Sequence, residues 1–295
     1  MTQRGRTWRT PYLRAALALV LVTVIWGSGF IATQYAIASQ MDASLIMTLR
    51  FLIGALCIGA LAVKKIIKSD RACVLHGCCA GLILFAAFYA QTLGQSRTSV
   101  SSAAFITASN VLMIPLIEWA VYRRRPGLKV LAMCALAMGG ILLLTVDFAA
   151  GVVFSSGDWL VLACAFLFAL QIVYVGRTCN EHDPLLITFW QLFSAGVAGG
   201  LLFVILRPEV TASQISAGIL PVCYLALFST CLCYALQTWA QQYVPPAQAG
   251  VILCMEGLFG TLFSLLLGLE ALRLAMVAGG ALIMTAVVAM NASQA

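Results

Sequence analysis

The sequence predicts an all-α integral membrane protein of ten transmembrane helices, arranged as two five-helix halves of inverted topology. Three observations predict it: a composition that no water-soluble fold could bury, apolar runs of spanning length that recur along the chain, and basic residues that alternate between connections. Of 295 residues, 62% are hydrophobic and 9% charged, where a soluble domain carries roughly 25% charged residues. A soluble fold would have to turn that apolar surface to water, whereas a bilayer accepts it as solvent.

Runs of roughly 18–25 apolar residues are long enough to cross a bilayer. In the first half they are Ala15–Ile37, Leu45–Val63, Cys73–Leu93, Val100–Val121 and Leu128–Val146; in the second, Asp158–Val175, Leu185–Leu206, Ala217–Trp239, Ala247–Leu267 and Leu272–Met290. This division leaves a tail over 1–14, five-helix units over 15–146 and 158–290, a linker over 147–157 and a tail over 291–295. With the N-terminus in the cytoplasm, thirteen of the 17 basic residues fall on the cytoplasmic side: Arg4, Arg6, Arg9, Arg14, Lys64, Lys65, Lys68, Arg71, Arg123, Arg124, Arg125, Lys129 and Arg177. Only Arg97, Arg207 and Arg273 fall on the other. That is the positive-inside bias. It places both termini in the cytoplasm of a plasma membrane and the 147–157 linker in the periplasm. A cleaved signal peptide is the competing reading of the first run, but that run is long for one and contains Trp26, Ser28, Thr33 and Gln34.

The net charge of +7 is accounted for by these orientation signals. No basic face with interleaved aromatics exists, so nucleic acid is not an expected partner. Nearly all of the 11 cysteines sit inside apolar runs as small hydrophobes. Cys231-Leu232-Cys233 and Cys78-Cys79 lack zinc-ligand spacing and histidine partners, and structural disulfides are not expected.

An internal repeat supports the division into halves. Gln91-Thr92 closes the third run and Gln237-Thr238 the eighth, an offset of 146 residues (237 − 91). The same offset pairs Gln95 with Gln241, Ala103 with Ala249, Ile106 with Ile252, Leu112 with Leu258, and Asn110 with Glu256. Five spans per half is an odd number, so the second copy enters the membrane from the opposite side. Solutes bind near the midplane between such halves in transporters.

An ionisable side chain at bilayer depth costs roughly 2.5–3.5 kcal/mol on insertion scales, which makes it a functional candidate. Glu256 falls near the centre of the ninth run with no lysine in the core of any run to neutralise it; it either binds a cationic group or a proton, or bonds two helices together. Asn110, its repeat partner, would add a neutral donor and acceptor. Arg50 lies near the outer end of the second run. It either snorkels to the interface or grips a solute carboxylate; Gln191, offset by 141 residues (191 − 50), is its counterpart. Glu118 lies near Arg123, Arg124 and Arg125 and reads as an interfacial charge pair. Trp26, Tyr89, Gln91, Trp190, Tyr234 and Gln237 offer stacking faces and hydrogen bonds to a cavity, or form an interfacial belt. Gln171 and Tyr174, at i and i+3, share a helical face and are expected to act together. Pro115 predicts a kink in the fourth run.

Several stretches resemble the drug/metabolite transporter superfamily, in its EamA-like branch: Trp26-Gly27-Ser28-Gly29-Phe30, Arg50-Phe51, Phe88-Tyr89-Ala90-Gln91-Thr92-Leu93-Gly94, Ala103-Ala104-Phe105-Ile106-Thr107, Met255-Glu256-Gly257-Leu258-Phe259 and Gly268-Leu269-Glu270. The resemblance runs in order through nearly the whole chain. It implies a five-plus-five helix fold around a central cavity and transport of small organic solutes, such as amino acids, other metabolites or drugs, usually as export. Arg124 stands opposite Glu270 in the repeat, where the family commonly has an acid.

The expected function is therefore a secondary transporter, moving a small solute by alternating access with protons as the candidate coupling ion. A membrane-embedded enzyme acting on a lipid or isoprenoid is the alternative, and would need His, Asp and Glu clustered near one interface. No cofactor or metal is expected: there is no Walker A loop and no HExxH, and His76 and His182 are the only histidines.

Overall fold

The computed structural model describes residues 4–98, 100–123, 125–145, 155–268 and 271–291. Arg124, Glu270, and positions 147–154 of the expected linker lie outside them. Among the described residues there is no strand. Ten helices are long and apolar enough to cross a membrane: Thr10–Ala38, Ala43–Ile66, Arg71–Gln95, Ser102–Tyr122, Leu128–Thr145, Ser156–Thr178, Pro184–Leu206, Ala212–Ala240, Pro246–Leu266 and Leu274–Asn291. They are called the first to tenth spans below.

Local chemistry sets the helix ends. Asp42 accepts from the Ser44 N–H at 2.8 Å and Asp183 from the Leu185 N–H at 2.9 Å, each as an N-cap. Thr211 and Gln214 form a reciprocal capping box, which starts the eighth span at Ala212, five residues before the expected Ala217. Arg123, Arg207 and Gly268 end their helices in left-handed conformations. The first helix begins at Arg4, so the expected 1–14 tail is largely helical; Pro11 removes one donor without ending it.

Among the described residues four spans depart from regular α-helix, the second by a kink at Ala62 near its end. The fourth breaks at Ser109, between Val100–Ala108 and Asn110–Tyr122, and the ninth at Cys254, between Pro246–Leu253 and Met255–Leu266. Both breaks carry a tightened i→i+3 bond, from Leu112 N–H to Ser109 O at 3.0 Å and from Gly257 N–H to Cys254 O at 3.3 Å. The helix runs on through Pro115, and the break lies six residues before it at Ser109; the ninth span breaks within one residue of the equivalent place with no proline there. In the eighth span Leu225–Leu232 is a π-helix, entered four residues after Pro221.

Helix packing has an approximate twofold order. The second span packs on the seventh and the fifth on the tenth, pairs that map onto themselves when the halves exchange. The third packs on the sixth and seventh, as the eighth packs on the first and second; the first packs on the ninth as the sixth does on the fourth. Even single hydrogen bonds follow it. Gln95 Nε2 donates to the Phe30 carbonyl at 3.5 Å, and its repeat partner Gln241 Nε2 donates to the Ile172 carbonyl at 2.8 Å. This fits the inverted repeat. The fifth and tenth spans cross where a Cβ added to Gly140 would lie 2.7 Å from the Gly279 carbonyl, and one added to Gly279 would lie 2.4 Å from the Gly140 carbonyl, so only glycine permits the approach.

One end of the bundle gathers the connections 67–70, 179–183 and 241–245, with Arg123 and residues 125–127 between the fourth and fifth spans. At this basic end Lys65 pairs with Asp183 at 2.7 Å, joining the two halves. Partial burial pushes the Asp183 carboxyl up, but the Lys65 ammonium and the Leu185 N–H outweigh it and hold it below its ordinary range.

Candidate functional site

A hollow lies between the halves, with about 670 Å³ of empty space counting the part open to solvent. Its aromatic wall is Trp26, Phe30, Phe88, Phe168 and Tyr234. Its polar lining is Thr33, Arg50, Gln91, Thr107, Asn110, Gln171, Ser229, Gln237 and Glu256. First, second, third, fourth, sixth, eighth and ninth spans all contribute.

Arg50 is 2% exposed. It does not snorkel to the outer interface. Its Nε donates to Thr230 Oγ1 at 2.6 Å and its Nη2 to Ser229 Oγ at 3.1 Å, and the guanidinium carbon sits 4.0 Å from the centre of the Phe88 ring. These partners are neutral; among the described residues no carboxylate lies within ion-pair distance of Arg50. The π-helix explains how two adjacent hydroxyls serve one guanidinium. A widened turn re-aims the side chains within it, and Ser229 and Thr230 both lie in that turn. Trp26 steadies it by donating Nε1–H to the Ser229 carbonyl at 2.8 Å.

Glu256 and Asn110 sit just past the two helix breaks and face the same hollow. Among the described residues Glu256 has no hydrogen-bond or ion-pair partner. It also borders a second hollow of about 440 Å³ lined by Gly27, Ala104, Thr145, Thr261 and Ser264. Gln171 and Gln237 form a chain: Gln237 Nε2 donates to Gln171 Oε1 at 3.5 Å, and Gln171 Nε2 to Gln191 Oε1 at 3.0 Å. Gln91 Nε2 donates to Thr107 Oγ1 at 3.3 Å.

Trp26, Arg50, Gln91, Asn110, Gln171, Tyr234, Gln237 and Glu256 are thus brought together as expected. Four candidates are not. Gln191 is fully buried behind Gln171. Tyr89 stacks on Phe85, and Trp190 donates to Ser69 Oγ at 3.2 Å. Tyr174 separates from Gln171: it lies three residues nearer the basic end of the sixth span, and its hydroxyl meets His76 Nδ1 at 2.7 Å. Thr33, Thr107, Ser229, Phe88 and Phe168 line the hollow without having been singled out, because hydroxyls and phenylalanines in an apolar run carry no signal of the side they face. A further correction concerns the histidines. His76 and His182 come together at the basic end with rings 5.5 Å apart, and Cys73 lies beside His182, so the chain does have a mixed histidine, cysteine and carboxylate cluster near one end. It is far along the bundle from Arg50.

The model of the EamA-like transporter family matches residues 13–146 and again 155–292. An uncharacterized transporter of Archaeoglobus fulgidus is 30% identical over 292 residues, 97% of this chain and 88% of that protein. An uncharacterized inner membrane transporter, YicL, of Salmonella typhimurium is 24% identical over 269 residues, covering 86% of this chain and 87% of its own length. A crystal structure of another protein, 18% identical, shares the fold with a TM-score of 0.77 across 95% of this chain and 97% of its own.

Proposed function

The chain belongs to the EamA-like transporter family, and from that premise we propose that it is a secondary transporter of small zwitterionic solutes, amino acids or metabolites of like charge, working by alternating access. One observation carries the substrate class. Arg50 and Glu256 are opposite charges that line one aromatic-walled hollow, and neither has an oppositely charged partner among the described residues. A buried charge without a counter-charge is costly. A solute bearing a carboxylate and an ammonium would satisfy both: the guanidinium takes the carboxylate, and Glu256 takes the ammonium. Gln237 Oε1, a buried acceptor without a partner among the described residues, is the kind of group that a polar solute completes.

The mechanism follows from competition. When the solute leaves, Glu256 loses its cationic partner, and a proton bonding to the carboxylate neutralises it. Exchange of proton for solute at one carboxylate couples the two fluxes, while the halves rock about the hollow between them. Export from the cytoplasm, with both termini cytoplasmic in the inner membrane, is the direction that the resemblance implies.

Proteoliposomes loaded with radiolabelled amino acids test this. Saturable counterflow is expected, driven by a pH gradient. Glu256→Gln should retain insertion and lose the response to the gradient. If Glu256→Gln transports like the unaltered chain at every pH, the carboxylate has no part in coupling.

A further inference from the structure

His76 and His182 come from different halves, yet they meet at the basic end with three further donors. Asp70 precedes the third span and Cys73 lies in its first turn; Glu181 and His182 lie in the connection before the seventh. One ligand atom each from Asp70, Cys73 and His182 fall within 4.8 Å of one another, and so do those of His76, Glu181 and His182. His182 is common to both sets, and its Nδ1 is 3.8 Å from Asp70 Oδ1.

These separations must shorten by up to about 1–1.5 Å to become those of a coordination shell. Tetrahedral zinc with bonds of about 2.0–2.3 Å holds its ligand atoms roughly 3.3–3.8 Å apart. Small rotamer changes in exposed Asp70 and half-buried His182 close the remainder. Imidazole and thiolate with carboxylate select zinc-like ions, not magnesium or calcium, which take oxygen ligands. Tyr174 hydroxyl at 2.7 Å from His76 Nδ1 is an outer partner of the kind that fixes a ligating histidine's tautomer, leaving Nε2 to bind.

We propose that Asp70, Cys73 and His182, with His76 and Glu181 beside them, form a binding site for a zinc-class divalent ion that pins the second–third connection to the sixth–seventh connection. On binding, the Cys73 S–H bond is replaced by a sulfur–metal bond and its proton passes to water. The same end already carries two links between the halves, Lys65–Asp183 and the bond from Trp190 to Ser69. A metal there adds a link between the halves at this end. Slowing of transport by the ion rests on the alternating-access reading; binding of the ion does not.

Cobalt is the probe. The purified full chain, titrated with Co²⁺, should bind a single ion with the visible bands of tetrahedral cobalt and a near-ultraviolet thiolate charge-transfer band, both displaced by Zn²⁺. Cys73→Ser should lose the charge-transfer band, and His182→Ala should lose saturable binding. Asp70→Asn should weaken affinity by about tenfold or more. Its carboxylate makes no capping bond, so this variant keeps the helix start and decides the matter if the others fail to fold. No saturable tetrahedral spectrum in the unaltered chain, or an undiminished one in Asp70→Asn and His182→Ala, would overturn the site. In proteoliposomes Zn²⁺ should slow counterflow by the unaltered chain and not by His182→Ala. Unslowed counterflow with an intact cobalt spectrum would overturn the pinning while leaving the site in place.

Discussion

Arg50 shows how a single residue takes its meaning from what surrounds it. A guanidinium in an apolar span is tolerated here because each contact removes part of its cost: two hydroxyls accept its hydrogens and an aromatic face covers it. The positive charge itself is left over, and it lines the hollow. Arg50→Lys keeps that charge but cannot offer a planar pair of donors. Transport of carboxylate-bearing solutes should therefore fall about tenfold or more, read as counterflow by protein that still inserts; undiminished counterflow would make the guanidinium purely structural. Thr230→Val strips the acceptor from Arg50 Nε and should lower thermal stability by about 2 kcal/mol, measured as a melting shift in detergent.

At the scale of elements, the breaks and the π-turn position the site more than the spans do. Asn110 and Glu256 each follow a break in equivalent helices. Ser229 and Thr230 share a widened turn that points both hydroxyls at one side chain. Leu227, within that turn, is exposed and makes none of these contacts. Deleting it should restore ordinary α-helical pitch and undo the widened turn that aims both Ser229 and Thr230 at Arg50. Insertion should survive and transport should be lost; retained transport would mean that the π-turn does not serve Arg50. The glycine crossing is a separate element-scale device. Gly279→Ala places a Cβ against the Gly140 carbonyl and should cost about 1–3 kcal/mol, seen as a lower melting temperature.

For the whole molecule, the twofold order of packing makes the two ends of the bundle chemically unlike although their backbones correspond. The basic end joins its halves through Lys65–Asp183. At the equivalent place on the other end, the start of the eighth span packs on Met41 and Ser39 at Gly218. Polar and apolar closures of this kind differ in how readily water opens them. Orientation is testable at this scale. A reporter that fluoresces only in the cytoplasm should glow when fused to the C-terminus, and one active only in the periplasm should work when fused after Arg207. The reverse pattern would invert every assignment of sides.

How much could be read without a structure follows from what each level of physics requires. Ten spans and their order were legible because crossing a bilayer demands apolar runs of a set length, and such runs are written locally in residue type. Glu256, Asn110, Gln91 and Gln237 could be singled out because a polar group is rare and expensive in an apolar run. What the chain alone left open was direction. Arg50 could face the interface or the core, Gln171 and Tyr174 could stay together or part, and two histidines could lie anywhere. Those choices are settled by which neighbours a side chain meets, and neighbours such as Ser229 for Arg50, or His76 for Tyr174, are supplied by distant segments that only the packed helices bring within reach.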